Sequence, residues 1–550
     1  MKSIINFERM TKYNFHTIFL LMFLFVLSIE AQVIYSPVKS NVYDFLDRVS
    51  QKINIHYYDI VKPIPRKEIA KLLKEIERSS KFLSEVEKEE LQWYENDYSY
   101  EMDGTIKRWR LFEYADTLFR VILTPEIQLQ QNSLAGKKNL KTRWLGGFYG
   151  SIGENIGYSF SLTDNSEGGD SIDADKIFSS FTGFNHKTSK DRTISFEDIN
   201  AMLTYNWSWG SFSLGKDYIN WGSGKNGQLI LSSKAPSFPF IKFDISPVKW
   251  LRFHYIHAWL ASDVPDSSTF YTTTVADKKG DPFYRGNQRS KYLAANFLSI
   301  IPDERFIFSL GNSIIYSDGS VRLPFLIPFI WYYKGIDHNF YGSTKNDGYG
   351  NNGQMFFNFS MRYPEKFHFY STLFIDEFSL TGFLKGDHSR DQLGYTIGAT
   401  NYSSVIDNLL LEFEYTKIMP GTYLNYVQTQ TYQNASYDLG HWIGQNADQL
   451  YLGASYQFLR GLNAKVYYQK IRKGGSQKGT DRYSSNDMPF LYLPLQKWHY
   501  FGATINYQPL YDLDIRTYFR FVNYSSDNGI AEVYKKNSID AGIGLSYGVY

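Results

Sequence analysis

Over most of its length this chain keeps a period of two. Leu513, Ile515, Thr517, Phe519 and Phe521 alternate with Asp512, Asp514, Arg516, Tyr518 and Arg520. Leu409, Leu411, Phe413 and Tyr415 share one face of another stretch, while Glu412 and Glu414 take the other. A strand with one apolar and one charged face needs a different solvent on each side. A soluble sandwich and a membrane barrel both supply that, and connection lengths separate them. Candidate strands fall at 118–130, 141–151, 156–164, 195–207, 211–217, 240–246, 250–260, 292–300, 304–314, 354–363, 367–377, 391–400, 407–417, 449–458, 462–472, 498–507, 512–523 and 540–550. Ser208-Trp209-Gly210, Pro247-Val248-Lys249, Pro302-Asp303, Pro364-Glu365-Lys366 and Leu459-Arg460-Gly461 make tight connections. Between them lie long ones at 165–194, 218–239, 261–291, 315–353, 418–448 and 473–497. Short and long connections alternate, as in outer-membrane barrels with short periplasmic turns and long outer loops. The expectation is an all-β transmembrane barrel of about 18 antiparallel strands, an even count that returns the C-terminus to the periplasmic side.

The N-terminus is of another kind. Lys2, Arg9 and Lys12 precede an apolar core at 18–27 that is too short to span a bilayer, and Ala31 precedes Gln32. Residues 1–31 are thus expected to be a secretory signal peptide. No other stretch reaches the ~20 apolar residues of a spanning helix, so strands are the remaining way across. Residues 32–105 follow helical spacing. Val42, Phe45, Leu46 and Val49 lie behind Ser40 and Asn41, while Ile69, Leu72, Leu73 and Ile76 form a stripe after Pro65. Ser84-Glu85-Val86-Glu87 is a capping box. A small periplasmic helical bundle over 32–105 ahead of a barrel over 106–550 is the expected organisation. The chain has no cysteine, which excludes disulfides, thiolate metal sites and a lipid-modified N-terminal cysteine. A formal charge of only +2 gives no basic surface for nucleic acid.

One stretch interrupts the barrel pattern, Ser211 to Phe243. A strand ending in Gly215 and Asp217 runs into Trp221-Gly222-Ser223-Gly224, with Gly227 beyond. It closes with Leu229, Leu231, Ser232, Ala235, Pro236 and Pro239. Glycines open backbone angles closed to other residues and prolines hold extended geometry, so an ordered, non-repetitive loop is expected here. A second motif, Leu439-Gly440-His441-Trp442-Ile443-Gly444 with Asn446, Ala447 and Asp448, lies farther on. Together with the helical preface, these two motifs resemble the Wzi family of capsule-assembly outer-membrane proteins. The resemblance spans nearly the whole mature chain. It implies a barrel of the same strand number that holds or helps assemble capsular polysaccharide at the surface of a Gram-negative cell, without enzymatic activity.

Residues that suggest chemistry reduce to ordinary roles. Gly544-Leu545-Ser546-Tyr547-Gly548 matches a nucleophile elbow, but the chain ends before any acid and histidine could follow. His254 and His257 are three apart on a strand, face opposite sides and cannot share a metal. Asp170, Asp173 and Asp175 lack the calcium-loop spacing. No metal or cofactor is expected. The inward charges Glu412, Glu414, Lys465, Asp512, Asp514, Arg516 and Arg520 are of both signs, which favours a cross-linked, plugged or constricted lumen over an open pore. A porin or small-solute transporter is the competing class.

Aromatic faces pack on sugar C–H groups, with amide, carboxylate and hydroxyl partners alongside. Trp221, Trp331, His441 and Trp442, with Asp217, Asn226 and Asn446, are the candidate polysaccharide contacts. Tyr332, Tyr333, Tyr349, Asn220, Asn346 and Asp347 lie nearby in the loops. Gly215, Gly222, Gly224, Ser232 and Pro239 are the candidate structural positions. Aromatics also fill lumens and girdle membranes, so each has a structural reading too. The apolar run Pro324 to Tyr333 contains two prolines and breaks the alternation as a strand. It is placed in a long loop tucked into the lumen. By alternation, Tyr550 falls off the apolar face formed by Ile543, Leu545, Tyr547 and Val549. Expected partners are surface polysaccharide, outer-membrane lipid and the barrel-insertion machinery, with the protein acting as a monomer.

Overall fold

A computed structural model describes residues 34–184, 187–188, 192–276, 282–332, 350–386, 391–476, 489–530 and 533–548. The signal segment, Tyr333, Asn346, Asp347, Tyr349 and Tyr550 lie outside them. The wall is a closed antiparallel barrel of 18 strands. The strands are β1 (Phe119–Pro125 continued by Ile127–Leu134), β2 (Lys137–Ile152), β3 (Ile156–Gly169), β4 (Thr193–Trp207), β5 (Gly210–Asp217), β6 (Phe238–Val248), β7 (Leu251–Leu260), β8 (Lys291–Asp303) and β9 (Phe306–Ser317). They continue as β10 (Asn352–Met361), β11 (Phe367–Glu377), β12 (Gln392–Tyr402), β13 (Leu409–Ile418), β14 (Ala447–Leu459), β15 (Leu462–Lys473), β16 (Leu495–Leu510), β17 (Leu513–Asp527) and β18 (Tyr534–Tyr547). Every one overlaps a strand expected from the alternation. The barrel closes where β18 pairs with the second half of β1, from Tyr547 opposite Ile127 to Asp540 opposite Leu134. The first half of β1 pairs instead with an added strand, Phe112–Ala115.

One connection differs from the sequence reading. Residues 131–140 look like a loop, but β1 and β2 extend toward each other and turn through Ala135 and Gly136, both at positive φ. Their polar residues disguise the strand, because Gln128, Gln130 and Asn132 face the lumen and hydrogen-bond along the wall.

Four helices close the short-turn end: α1 (Val42–Val49), α2 (Arg66–Arg78), α3 (Glu85–Asp97) and α4 (Ser99–Asp103). The expected stripes form their core, with Phe45, Leu46, Val49, Ile69, Leu72, Leu73 and Ile76 all buried. The capping box forms in both directions, Glu87 N to Ser84 Oγ at 3.3 Å and Ser84 N to Glu87 Oε2 at 2.6 Å. Buried ion pairs fasten the bundle to the barrel. Arg120 on β1 pairs with Glu101 at 2.9 Å, Arg362 beside β10 pairs with Asp59 at 2.7 Å, and Arg108 pairs with Asp512. Arginine suits such sites because its guanidinium stays charged and presents several donors.

The outer face is apolar, as a lipid-facing wall must be. Ile505, Phe519, Ile543 and Leu545 are exposed there, and Trp209, Trp250, Tyr363 and Phe458 ring the short-turn rim at the level of an interfacial aromatic girdle. The wall spans an outer membrane.

The apolar run near residue 325 is not in the lumen. It folds down the outside of the wall as a strap. Tyr255, Asn296, Asn312 and Tyr316 belong to the outward-facing rows of β7 to β9, and the strap covers them. Asn296 Nδ2 donates to the carbonyls of Pro328 and Ile330, each at 2.9 Å. Tyr332 N donates to Asn312 Oδ1 at 3.0 Å, and Asn312 Nδ2 donates to Asn296 Oδ1 at 2.7 Å. Phe329 stacks on Phe253 with centroids 4.2 Å apart. Prolines leave the strap's carbonyls without strand partners, and two outward asparagines would be unpaired in hydrocarbon. Each satisfies the other. Asn312→Leu strands the Tyr332 N–H and is expected to cost ~1–3 kcal/mol. The check is the denaturant midpoint of the folded barrel, followed by its heat-modifiable migration on a gel.

Candidate functional site: a lumenal plug built from two sequence motifs

The connection between β5 and β6 turns inward and lies inside the barrel. Asn220–Trp221 pairs with Val61–Lys62, so the N-terminal segment and the loop form a two-stranded ribbon within the lumen. Trp221 is completely buried. It stacks on inward Phe297 of β8 at 5.5 Å and meets Phe356 of β10 edge-on at 6.3 Å. Its backbone N–H donates to Leu231 O at 2.9 Å, and Gly222 N donates to Ile60 O at 2.9 Å. Gly222 sits at φ +105°, a conformation that L side chains rarely adopt.

Beyond this turn the plug is fastened by one carboxylate. Glu414, inward on β13, accepts from Lys225 N at 2.7 Å, Asn226 N at 3.0 Å and Tyr370 OH at 2.7 Å. The Lys225 ammonium reaches the other way and pairs with Asp47 of α1. Ser223 N donates to Asn358 Oδ1 at 2.9 Å. The second motif closes over the same segment. Ser232 N bonds Leu439 O at 2.8 Å and Ser232 Oγ bonds Gly440 O at 2.5 Å. Trp442 Nε1 donates to Asn226 O at 2.7 Å, and Tyr423 OH donates to Leu229 O at 2.7 Å. His441 is fully buried against Gly227, where a Cβ would lie 2.6 Å from the ring. Burial pushes the His441 pKa down to about 3, so the imidazole is neutral in the folded protein. Asn446, also fully buried, donates to Gly475 O at 2.9 Å and accepts from Leu491 N at 2.7 Å. Lys234 ties the 165–194 loop down through the carbonyls of Lys176, Ser179 and Phe181, and burial lowers its pKa to about 8.

Six of the seven residues singled out in the sequence therefore gather around the plug. Asp217 ends β5 and accepts from Tyr218 N at 2.7 Å. Trp331 stands apart, half-buried on the outer strap. Of the structural positions, Gly215 lies in β5 opposite Met202 and Pro239 lies in β6 opposite Lys216. Gly224 brings its backbone against the Gly227 carbonyl, leaving no room for a Cβ. Trp221, His441 and Asn446 have no face open to a polymer in this conformation. Sequence reasoning passed over Glu414 as one lumenal charge among several. Its signal is a carboxylate with Gly398 and Tyr451 across the ladder and no cation beside it among the described residues.

The plug fills the lumen unevenly. Inward residues of β6 to β13 pack against it and are buried, among them Phe240, Ile256, Ala295 and Phe374. Arg516 on β17 also faces inward yet is exposed, and Arg520 retains 33% exposure while paired with Asp540 at 2.7 Å. Lys465 pairs with Glu412 and Asn41 donates to Asp514 at 3.3 Å. The lumenal charges thus cross-link as their mixed signs implied, and the β15 to β4 side is less tightly filled. A cavity of about 250 Å³ remains there between Lys39, Arg143, Asp198 and Tyr218. His254 points inward to Asp244 at 2.7 Å, and His257 points outward to Tyr316 OH at 2.7 Å.

A closed outer-membrane barrel with a lumenal plug and a helical bundle at one mouth is a narrow class. Residues 150–528 match the model of the capsule assembly protein Wzi family, and the chain belongs to that family. A solved structure of Escherichia coli Wzi, described as an outer membrane protein involved in group 1 capsule assembly and a carbohydrate-binding β-barrel, is 12% identical. The match covers 94% of this chain and 99% of that one with a TM-score of 0.57. Pseudomonas aeruginosa OccK5 (OpdH) is 11% identical, with 79% of this chain and 99% of that one covered at a TM-score of 0.42. Acinetobacter baumannii OccAB2 is 10% identical, with 79% and 99% covered at 0.39. No curated protein matches the chain by sequence.

Glu414→Ala removes three hydrogen bonds to one charged acceptor. The expected result is a plug loosened by ~2–4 kcal/mol and a planar-bilayer current absent from the parent protein. The neutral His441 adds a pH dependence. Its folded pKa of about 3 lies below the ordinary 6.5, so the unfolded chain binds the extra proton. Stability from this group is complete above the upper value and falls as pH drops toward the lower. His441→Gln should flatten that part of the unfolding-versus-pH curve between the two, measured against the parent.

Proposed function

We propose that this barrel holds capsular polysaccharide at the cell surface and helps assemble it there, without performing chemistry on it. A plugged cylinder offers a surface to a polymer, whereas a porin must offer a path. The observation that carries this reading is an aromatic hairpin at the long-loop end. In the loop between β7 and β8, Tyr271–Ala276 pairs with Pro282–Arg285. Phe270, Tyr271, Phe283 and Tyr284 are all exposed on it, Tyr284 by 73%. Large aromatics left in water beside Arg285 suit sugar C–H faces and hydroxyls. The buried Trp221 and the half-buried Trp442 act behind them by fixing the plug and the loops.

The helical bundle, on this reading, sits in the periplasm, and residues 1–31 direct export. The insertion machinery and lipid are the partners of assembly, and a single copy suffices. Binding is weak at each contact and strong in sum, because repeating sugar units meet many barrels. Removing two stacking rings is expected to weaken each contact about tenfold, from ~0.5–1.5 kcal/mol per ring. Tyr271→Ala/Tyr284→Ala in encapsulated cells should shift capsular polysaccharide from the cell pellet to the medium, with the barrel still folded by heat modifiability. Unchanged retention would sink the hairpin as the contact. A large steady current through the parent protein would favour the solute-channel class instead.

A further inference from the structure

The outer wall carries a built concavity beside the strap. On β11 the outward row reads Phe367, Phe369, Ser371, Leu373 and Ile375, so one small side chain interrupts a run of large ones. Ser371 lies opposite Phe359 on one side and Ile397 on the other. With Phe308, Leu310 and Leu373 these residues line a groove of about 570 Å³. Leu298 belongs both to the groove and to the cluster under the strap that contains Phe325 and Tyr332. The wall itself therefore lines the groove, and Leu298 joins its edge to the cluster beneath the strap.

Depth decides what fills it. Ser371 is four residues from the short-turn end of β11, at Phe367. At ~3.3 Å per residue and a tilt of ~40° it lies ~10 Å inside the rim. That is the hydrocarbon of the leaflet on the short-turn side, which is the phospholipid side if short turns face the periplasm. Water does not enter such a site, and hydrocarbon is the available occupant. Lipid and wall are equally apolar, so retention comes from shape fit and dispersion rather than from the hydrophobic effect.

We propose that this groove is a binding site for one acyl chain of a periplasmic-leaflet phospholipid, walled by Phe308, Leu310, Phe359, Leu373 and Ile397 and floored by Ser371. The site would hold a lipid that travels with the barrel rather than exchanging with the bulk.

Native mass spectrometry of the full chain, reconstituted with palmitoyl-chain phosphatidylethanolamine and released from mild detergent, reads retention directly. The parent barrel should keep one lipid adduct. Ser371→Trp fills the groove and should lower the retained fraction at least about fivefold, whereas Thr517→Trp, outward on β17, should not. Ser371→Leu serves where the tryptophan variant does not fold, with a smaller drop in the same direction. A parent protein without an adduct, or equal retention in the groove variants and Thr517→Trp, overturns the proposal.

Discussion

Closure of the hydrogen-bond ladder between β18 and β1 is the constraint from which the rest follows. In hydrocarbon every backbone N–H and C=O needs a partner within the protein, and only a sheet without edges provides one. Once Tyr547 meets Ile127, side chains divide into an outer set bathed in lipid and an inner set enclosed by the wall. The inner set then has to be satisfied in a confined space. In this protein that is done in two ways. Apolar inward residues on β6 to β13 receive a folded plug, and charged inward residues on the other side pair with one another along the wall, as Arg520 does with Asp540.

The strap obeys the same constraint from the other side. Asn296 and Asn312 violate the lipid-facing pattern, and a polar group in hydrocarbon needs a partner. The strap's own unpaired carbonyls need donors. Neither half is tolerable alone, so the two occur together. A sequence window sees only an apolar run with prolines. It does not see that the asparagines, some distance upstream, have turned their amides outward.

Much of the architecture was legible because it is local. Alternation is a property of adjacent residues, and each of the 18 wall strands overlaps a stretch that shows it. Helix caps such as Ser84 with Glu87 are local as well. The gaps come from tertiary choices. Ala135-Gly136 is a tight turn between polar strands, which alternation in hydrophobicity cannot show when both faces are hydrophilic. Trp221 and His441 were legible as important but not as buried, because a glycine-bound aromatic reads the same whether a loop projects outward or folds in. What separates the two is the supply of partners, Phe297 and Phe356 for the indole and Glu414 for the following amides, and these come from strands far apart in sequence.

The plug also bears on how such motifs would serve the proposed surface binding. Asp47 of α1 holds Lys225, and the Lys225 and Asn226 amides are held by Glu414. Asn226 in turn receives Trp442, whose loop covers Leu229 through Tyr423. A continuous column of hydrogen bonds therefore runs from the helical bundle through the lumen to the long-loop end. Loops on an open pore would lose conformational entropy each time a polymer settled on them. Loops fastened from below have already lost it during folding, so each weak contact keeps more of its free energy. Many such contacts along a repeating chain then add. In this view glycine at position 222 and histidine at position 441 serve binding at a distance, by making the platform stiff.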